Sequence, residues 1–414
     1  MTAAASAGPT EMVSVDRHLA GVLSVVRPLQ ARELTLDEAA GAVLTADVTA
    51  AWPLPPFDNS AMDGYAVRSA DLAEASAQAP VTLPVTDAVP AGDTRRVGLT
   101  GRACIRIMTG ALMPAGADAV VPVEWTDGGT SAVTVHRAVS PGESVRLTGD
   151  DARPGDLLLA AGSQLGAPQL GLLAAAGNGS VLARPRPRLT VITTGDELAQ
   201  PGEPLVPGRI WESNSVMLAT AARQAGCVVR RHPVVRDDTG AVLAAVREAA
   251  EAADVLVTTG GVSMGGEYDV VKAALQALGT ITFGKVAMQP GMPQGFGTVG
   301  PQATPIFTLP GNPVSAYVSF CLFVGPALAA LQGLDTRRYA ARERAVLGAD
   351  VRSPAGKRSF LRGAWDRTSD RVMPVTGQAS HQLASLALAN ALIVVPEQVT
   401  AVRSGETVDV LALP

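Results

Sequence analysis

The spacing of apolar positions predicts helices at the start of the chain. Apolar residues across Val15–Val26 recur at the three- to four-residue spacing of an amphipathic helix. Thr35–Glu38 has the spacing of a capping box in front of Ala39–Leu44, so we expect most of residues 14–51 to be helical. Prolines beginning at Pro53 end this pattern, because proline disfavours helix at its own position and at the residue before it.

The pattern changes to short β-type runs between residues 81 and 146. Val, Ile and Thr cluster there between Gly, Pro and Asp, which is typical of a small β domain. Residues 155–187 follow as strand, helix and strand, and we expect them to pack on the N-terminal helices. The strands predicted in these two stretches are Arg102–Met108, Ala119–Trp125, Ala132–Val139, Leu157–Ala160 and Ser180–Ala183, with a helix at Pro168–Ala176.

Strands and helices alternate between residues 188 and 334. This alternation predicts βαβ units and a parallel sheet covered on both faces. Its strands are Leu189–Thr193, Val228–Val235, Val255–Thr259 and Ile306–Leu309, and its helices are Ser215–Ala225, Ala241–Ala253, Val270–Leu278 and Val314–Leu331. Short strands then return at Arg344–Val351, Ser359–Asp366, Ala391–Pro396 and Thr407–Leu411, which favour a separate β domain.

The expected fold class is therefore α/β plus β. A discontinuous helical and β N-terminal domain would comprise residues 14–52 and 153–186, with a small β domain at 53–152 inserted in it. A central parallel-sheet α/β domain would follow at 187–335, and a C-terminal β domain at 336–414. The 414 residues suffice for this, at roughly 100–200 residues per domain.

Composition limits which binding partners and which cellular compartment we expect for the protein. The formal net charge is −5 and 17% of residues are charged, so nothing indicates a nucleic-acid surface. The three cysteines are widely spaced, which fits a reducing cytoplasm rather than a disulfide framework or a zinc site. The first fifteen residues lack the basic start of a signal peptide. The apolar stretch Val314–Leu331 contains Ser, Gly and Pro, so we expect a buried helix and no membrane span.

Polar loops follow three strands of the predicted parallel sheet. They begin at Thr194, Thr258 and Pro310, and the carboxyl ends of parallel strands meet at the ligand-binding edge of such sheets. Gly260, Gly261 and Ser263, ahead of a helix that begins near Asp269, can present N–H groups to a phosphate or another oxyanion. The alternative is that these glycines only make tight turns. Residues placed in this predicted substrate site are Thr259, Gly260, Gly261, Ser263, Pro310, Gly311 and Asn312.

Acidic residues also cluster on loops. Carboxylates beside an anionic ligand repel it unless a hard cation lies between them, and Mg²⁺ is the usual solution. The alternative is that each aspartate caps a turn or a helix, and this is the better interpretation for Asp63 and Asp238 taken singly. The loop acids are Asp58, Asp63, Asp150, Asp151, Asp196, Glu197, Asp237, Asp238 and Asp269.

Ordered motifs give the chain a resemblance to one family. Pro56-Phe-Asp-Asn-Ser-Ala-Met-Asp-Gly-Tyr-Ala-Val67 resembles the signature of the molybdopterin molybdenumtransferases, the MoeA proteins and the E domain of gephyrin. The similarity runs from about residue 17 to the end. The later motifs follow in the family's order: Ile105-Arg-Ile-Met-Thr-Gly-Ala111, Thr194-Gly-Asp-Glu-Leu198, Gly260-Gly-Val-Ser-Met-Gly265, Leu309-Pro-Gly-Asn-Pro-Val-Ser315 and Gly377-Gln-Ala-Ser-His381.

The resemblance implies an enzyme that inserts molybdate into adenylylated molybdopterin with Mg²⁺ and releases AMP. It implies a cytoplasmic homodimer with a site shared between subunits, and a contact with the preceding adenylyltransferase. Glu197, Asp237 and Asp269 would hold the metal, with Glu267 a rival for the last position. Lys285, Arg362 and Ser380 would bind molybdate. Matched to the motifs, the catalytic positions are Asp58, Asp151, Glu197, Asp237, Asp269 and Lys285, and Thr109 binds substrate.

One segment departs from the family pattern. Many relatives have Lys-Pro-Gly-Lys-Pro where this chain has Gln289-Pro-Gly-Met-Pro293, so an amide and a thioether replace two cations. Two other functions stay open from the sequence: a molybdopterin adenylyltransferase, whose domain resembles the α/β segment, and a non-catalytic scaffold. The first is disfavoured by the additional β domains. The second has only the two lost lysines in its support.

Overall fold

The computed structural model describes residues 12–261, 270–276, 278–339 and 342–413. The chain divides into two compact units. The larger unit comprises Met1–Arg32, Gly41–Val43 and Ala183–Pro414, and the smaller unit comprises Glu33–Ala40 and Leu44–Leu182. Short strands Arg32–Thr35, Val43–Leu44 and Ser180–Arg184 lie where the chain passes from one unit to the other.

The smaller unit is built on a five-stranded sheet. Its strand order is Ala119–Pro122, Gly64–Val67, Cys104–Ile107, Val81–Val89 and Ala132–Val135, and the third and fourth of these run parallel. Residues on alternate sides of the strands bury two apolar clusters, one around Tyr65 and Leu83 and the other around Ala66 and Ile105. Other elements of this unit are the paired strands Val48–Thr49 with Leu157–Leu159 and Asn59–Ser60 with Val145–Arg146, the 3₁₀ turns Ser69–Leu72 and Val123–Trp125, and the helix Ala167–Ala175.

The helix predicted at Thr35–Leu44 is wrong. The capping box itself forms, because Thr35 N and Oγ1 donate to Glu38 Oε2 at 3.1 and 3.0 Å. The chain continues only as turns, however, and Gly41 takes a left-handed φ of +79°, which ends the helical direction. A local capping signal therefore does not produce a helix here, since Val43 and Leu44 are buried as a strand.

The larger unit contains a six-stranded mixed sheet. Four strands run parallel, in the order Val228–Arg231, Arg188–Thr193, Val255–Thr259 and Thr304–Leu309. Val191 and Val257 face one apolar cluster, whereas their neighbours Ile192 and Leu256 face another. Both faces of the sheet are thus covered, as predicted, by helices Val15–Val25, Asn214–Gln224, Thr239–Ala252, Val270–Gln276, Pro313–Ser319 and Gly325–Gln332.

The expected all-parallel sheet needs one correction. Pro293–Val299 and Ile281–Lys285 extend it as antiparallel strands that the hydrophobic pattern did not indicate. Glycine has a low strand propensity, so Gly284, Gly295 and Gly297 conceal the signal. Close packing requires two of them, because a Cβ on Gly295 would lie 2.7 Å from the Phe283 ring and one on Gly297 would lie 2.3 Å from Thr280 O.

The long apolar helix forms, with an irregularity in its middle. Phe320–Val324 adopts a π-helical turn between the two α-helical halves. The segment Pro313–Gln332 has 20 residues and a mean hydropathy of 1.9, so its length and composition would suit a membrane span. Inside the protein, 83% of this apolar window is buried.

The C-terminal part of the larger unit forms a second sheet. Arg358–Asp366, Arg371–Pro374, Glu343–Leu347, Thr407–Ala412 and Ala391–Val395 pair in that order, and the last strand pairs back with the first to close a ring. Met288–Gln289 adds to Arg358–Asp366 as a parallel edge. The sequence missed Arg371–Pro374. The remaining elements are the paired strands Val351–Arg352 with Ala401–Val402 and Leu198–Ala199 with Ile210–Trp211, the helix Leu383–Ala387, and the 3₁₀ turn Thr336–Tyr339.

Candidate functional site

A polar cavity of about 640 Å³ lies at the carboxyl ends of the parallel strands. The loops that follow Arg188–Thr193, Val255–Thr259 and Thr304–Leu309 all line it, as the sequence predicts. From the first loop come Thr194 and Glu197. The predicted substrate residues found here are Thr259, Gly260, Gly261, Pro310, Gly311 and Asn312; Ser263 lies outside the described residues.

Asn214 connects two of these loops, although the sequence did not single it out. Its Nδ2 donates to Thr259 Oγ1 at 3.0 Å and to Gly311 O at 2.7 Å, and Thr259 Oγ1 donates in turn to Pro310 O at 3.0 Å. Asn214 is the first residue of a helix, and the Ser-Asn-Ser run that contains it is typical of an ordinary helix start. Only the position of that helix beside the sheet edge reveals the role of this amide.

The strand-end loop at Gly260 and Gly261 has room for glycine alone. Both residues have left-handed φ values, +98° and +64°. A Cβ on Gly260 would lie 2.7 Å from Thr194 O, and one on Gly261 would lie 2.6 Å from Val271 Cγ2. These glycines do make tight turns. The turns are also compatible with ligand binding, because the same loop lines the cavity.

Three buried polar atoms on residues that line this cavity have no partner within the described residues. They are Thr193 Oγ1, Thr194 Oγ1 and Asn214 Oδ1. Buried polar groups are almost always paired, so such exceptions indicate a position that a ligand or water completes. Together they offer two hydroxyls and one amide acceptor to a polar heterocycle.

The predicted acidic residues are distributed around this edge. The Glu197 carboxylate lies against Gly195, where a Cβ would approach its Oε2 to 2.6 Å, and it lines the cavity. Asp237 lies beside Asp196, whose Oδ1 accepts from Asp237 N at 3.4 Å. Burial raises the pKa of Asp237, and the Asp196 charge adds to this increase. Asp269, the third predicted metal ligand, lies outside the described residues.

Asp238 and Asp63 have the capping roles that the sequence favours. Asp238 caps the helix Thr239–Ala252 by accepting from Ala241 N at 2.8 Å. Asp63 Oδ1 accepts from both N and Oγ1 of Thr109 at 2.7 Å, and these bonds lower the pKa of Asp63. Among the described residues no group of three or more His, Cys, Asp or Glu side chains is arranged to hold a metal ion.

A second cavity of about 290 Å³ adjoins the first and shares Pro293, Pro310 and Asn312 with it. We call it the oxyanion cavity, lined by Met288–Pro293, Pro310, Asn312, Ser315, Lys357 and Gln378–Ser380. Ser380 belongs here as predicted, and its Oγ accepts from Asn312 Nδ2 at 2.9 Å. Gln289 and Met292 line it as well.

Arg362 lies beneath the oxyanion cavity instead of lining it. Its side chain is fully buried, and Nη2 donates to Gly377 O at 2.6 Å and to Ala379 O at 3.2 Å. Nε and Nη1 have no partner within the described residues. Burial lowers the pKa of Arg362, and no carboxylate of the described chain forms an ion pair with it. Arg362 thus supports the loop that carries Gln378–Ser380.

Lys285 lies in a different place from the other predicted molybdate residues. It lines a third cavity, of about 400 Å³, with Arg17 and His18 of the first helix. Lys285 is not among the residues that line the cavity with Ser380, although its strand partner Pro293 is. Its catalytic role stays a prediction.

The smaller unit brings its own motifs together. Asp58 Oδ1 accepts from Thr148 N at 2.7 Å and from Thr148 Oγ1 at 2.6 Å, which lowers the pKa of Asp58. Gly110 N donates to Ser60 O at 2.8 Å, so the first two family motifs lie side by side. Asp151 N donates to Leu54 O at 2.8 Å, which places Asp151 next to the same segment.

The fold and these cavities define the class of protein: a ligand-binding α/β domain with a polar strand-end site, combined with two β-sheet regions. The chain belongs to the MoeA family. Residues 13–177 match the MoeA N-terminal region (domains I and II), residues 190–330 match a probable molybdopterin binding domain, and residues 344–413 match the MoeA C-terminal region (domain IV).

Individual relatives cover nearly the whole chain. The chain is 45% identical over 405 residues to molybdopterin molybdenumtransferase 2 of Mycobacterium tuberculosis H37Rv, covering 96% of this chain and 99% of the relative. It is 35% identical over 408 residues to the molybdopterin molybdenumtransferase of Bacillus subtilis strain 168, covering 97% and 94%. The crystal structure of a MoeA protein from Pyrococcus horikosii superposes with a TM-score of 0.73 at 30% identity, covering 97% and 99%. The family resemblance is confirmed.

Proposed function

We propose that this chain is a molybdopterin molybdenumtransferase, which transfers molybdenum from molybdate to the dithiolene of molybdopterin. The relatives named above carry that activity in their names and match along almost their full length. The observation that carries the proposal is a pair of adjoining cavities joined at Asn312. One offers unpartnered polar atoms to a heterocycle, and the other offers hydroxyl, amide and ammonium groups to an oxyanion.

The strand-end cavity suits the pterin and phosphate end of the substrate. Thr194 Oγ1 and the Asn214 amide oxygen lack partners, and the Gly260–Gly261 loop permits close approach of a ligand to the backbone. The oxyanion cavity suits molybdate, because Ser380, Gln289 and Lys357 present O–H and N–H groups. In this arrangement the shared residue Asn312 lies at the junction where the dithiolene and the molybdate would meet.

We also propose an adenylylated substrate, Mg²⁺ and release of AMP. Glu197 and Asp237 supply the carboxylate oxygens that Mg²⁺ prefers, and Asp269 is the third predicted ligand. The raised pKa of Asp237 fits a position where negative charge is unfavourable without a cation. When bound, Mg²⁺ neutralises the bridging phosphates. Each of the two dithiolene sulfurs would form a bond to molybdenum. Two oxygen ligands would leave as two waters, taking the two thiol protons and two protons from solvent, while another water cleaves the phosphoanhydride.

We further propose a cytoplasmic homodimer in which Asp58, Thr109 and Asp151 act on the partner's substrate, and a contact with the adenylyltransferase. The four predicted domain boundaries belong to the same proposal. Mixing an Asp58→Ala chain with an Asn214→Ala chain tests the shared site. Hybrid dimers that regain activity support it, and verified hybrids that stay inactive contradict it.

A two-way assay separates the proposed reaction from its rivals. Purified protein receives either adenylylated molybdopterin with molybdate and Mg²⁺, or molybdopterin with ATP. Molybdenum-containing cofactor in the first mixture alone supports the transferase. Adenylylated product in the second mixture identifies an adenylyltransferase. The absence of turnover in both mixtures supports a non-catalytic scaffold.

A further inference from the structure

The oxyanion cavity has one charged side chain among its lining residues, Lys357. The position of this lysine follows from the strand register. Met288 pairs with Arg358 and Gln289 pairs with Ser359, and Arg358 N donates to Ala287 O at 2.9 Å. Lys357 therefore stands immediately before the strand that runs beside Gln289, and it lines the same cavity as the Gln378–Ser380 loop.

The charge of Lys357 is not neutralised by an acid of the described chain. The neighbouring Arg358 binds Asp16 at 2.8 Å and Glu397 at 3.0 Å, whereas Lys357 makes no ion pair with any described carboxylate. The whole sequence contains three lysines, Lys272, Lys285 and Lys357. Lys357 is half-buried, and it lines a cavity whose other described lining residues carry no charge.

The neutral turn Gln289–Met292, which lines this cavity together with Lys357, is fixed in position. The buried amide of Gln294 donates to Gly291 O at 2.7 Å and to Ser319 Oγ at 2.6 Å, which anchors the turn between Gln289 and Met292. A Cβ on Gly291 would lie 2.9 Å from Ser319 Oγ, so the turn packs directly on the long helix. A small oxyanion in this cavity therefore meets a rigid frame, which favours tight binding.

We propose that Lys357 is the residue that binds the negative charge of molybdate in this protein. The inference rests on the proposed function and names a specificity-determining residue for it. Gln289 and Met292 carry no charge, so the ammonium of Lys357 supplies the charge-assisted hydrogen bond, and Ser380 and Gln289 supply neutral ones. Arg362 contributes from beneath by holding the Gln378–Ser380 loop.

Titration of molybdate by calorimetry at low salt tests this assignment on the full chain. Lys357→Gln should weaken molybdate binding about tenfold, the usual effect of losing one hydrogen bond to a charged group. Lys357→Arg should keep most of the affinity. The control is Arg352→Gln, which removes one exposed positive charge nearby without altering the cavity lining and should bind like wild type. Thermal unfolding confirms that each variant is folded.

Moving the charge gives a second test. Gln289→Lys in the Lys357→Gln chain returns an ammonium to another residue that lines the same cavity and should restore molybdate affinity to within about threefold of wild type. Equal affinities for wild type, Lys357→Gln and Arg352→Gln would overturn the role of Lys357 and leave the proposed function standing. A wild-type protein that binds no molybdate, alone or with adenylylated molybdopterin, would overturn both.

Discussion

The amide nitrogen of Asn214 donates to the carbonyl oxygen of Gly311 at 2.7 Å, which ties the start of one helix to the loop that begins another. The same nitrogen donates to Thr259 Oγ1 at 3.0 Å, so one side chain joins two strand-end loops to the start of its own helix. Its Oδ1 is left without a described partner. One residue thus organises the cavity and still presents an acceptor to the ligand.

Replacing Asn214 should weaken substrate binding more than it destabilises the fold. Asn214→Ala removes two loop-joining bonds and the acceptor, so we expect KM for adenylylated molybdopterin to rise about tenfold or more, with a smaller fall in stability. Steady-state kinetics and thermal unfolding measure the two effects. Gln224→Ala, an exposed polar change on the same helix, is the matched control and should leave KM unchanged. Unchanged KM in Asn214→Ala would remove Asn214 from the site.

Gly260→Ala should disturb the strand-end loop by collision as well as by backbone strain. An alanine with left-handed φ costs roughly 1–2 kcal/mol wherever it lies. Gly279 has a left-handed φ of +68° and open space for a Cβ, so Gly279→Ala measures that cost alone. Gly260→Ala should unfold at a lower temperature than Gly279→Ala and should lose molybdopterin binding. Equal behaviour of the two variants would mean that the contact with Thr194 O has no consequence.

Much of this arrangement could be predicted from the sequence. The parallel strands end in polar loops, so the strand-end cavity follows from alternation and loop chemistry alone. The Gly-rich antiparallel strands could not be predicted, because Gly295 and Gly297 are required by packing with distant residues. Asn214 and Lys357 were missed for a related reason: each acquires its role from an element far away in the sequence, and neither belongs to a local motif.

Arg362 should contribute to the thermal stabilisation of the protein by molybdate. Its buried guanidinium has two nitrogens without a partner and no ion pair with a carboxylate in the described part of the chain, so a nearby anion stabilises the folded state. We expect a saturating excess of molybdate to raise the Tm of wild type by several degrees, and to raise that of Arg362→Met by less than half as much. Arg371→Met, an exposed change on the adjacent strand, serves as the control and should respond like wild type. Identical shifts in all three proteins would show that Arg362 does not contribute to anion binding.

His18 should make stability depend on pH. Burial lowers the pKa of His18 from 6.5 to about 4, and its ring packs edge-on against Phe323 at 4.6 Å. Between those pH values the unfolded chain binds a proton that the folded chain does not, so the stability present above pH 6.5 is lost as pH falls towards 4. The loss attributable to His18 is about 3 kcal/mol. Denaturant unfolding from pH 4 to 7 should show a shallower pH dependence for His18→Leu than for wild type. If stability depends on pH equally in wild type and His18→Leu, a group other than His18 is responsible.

The most direct test of the account is the molybdenum content of the cofactor after a single turnover. Purified protein is mixed with adenylylated molybdopterin, molybdate and Mg²⁺, the pterin is separated from free molybdate, and its bound molybdenum and the released AMP are quantified. We predict one AMP for each molybdenum incorporated, neither product when molybdate or Mg²⁺ is withheld, and slower incorporation in Asn214→Ala but not in Gln224→Ala. Molybdopterin that binds the protein yet gains no molybdenum and releases no AMP would contradict the account.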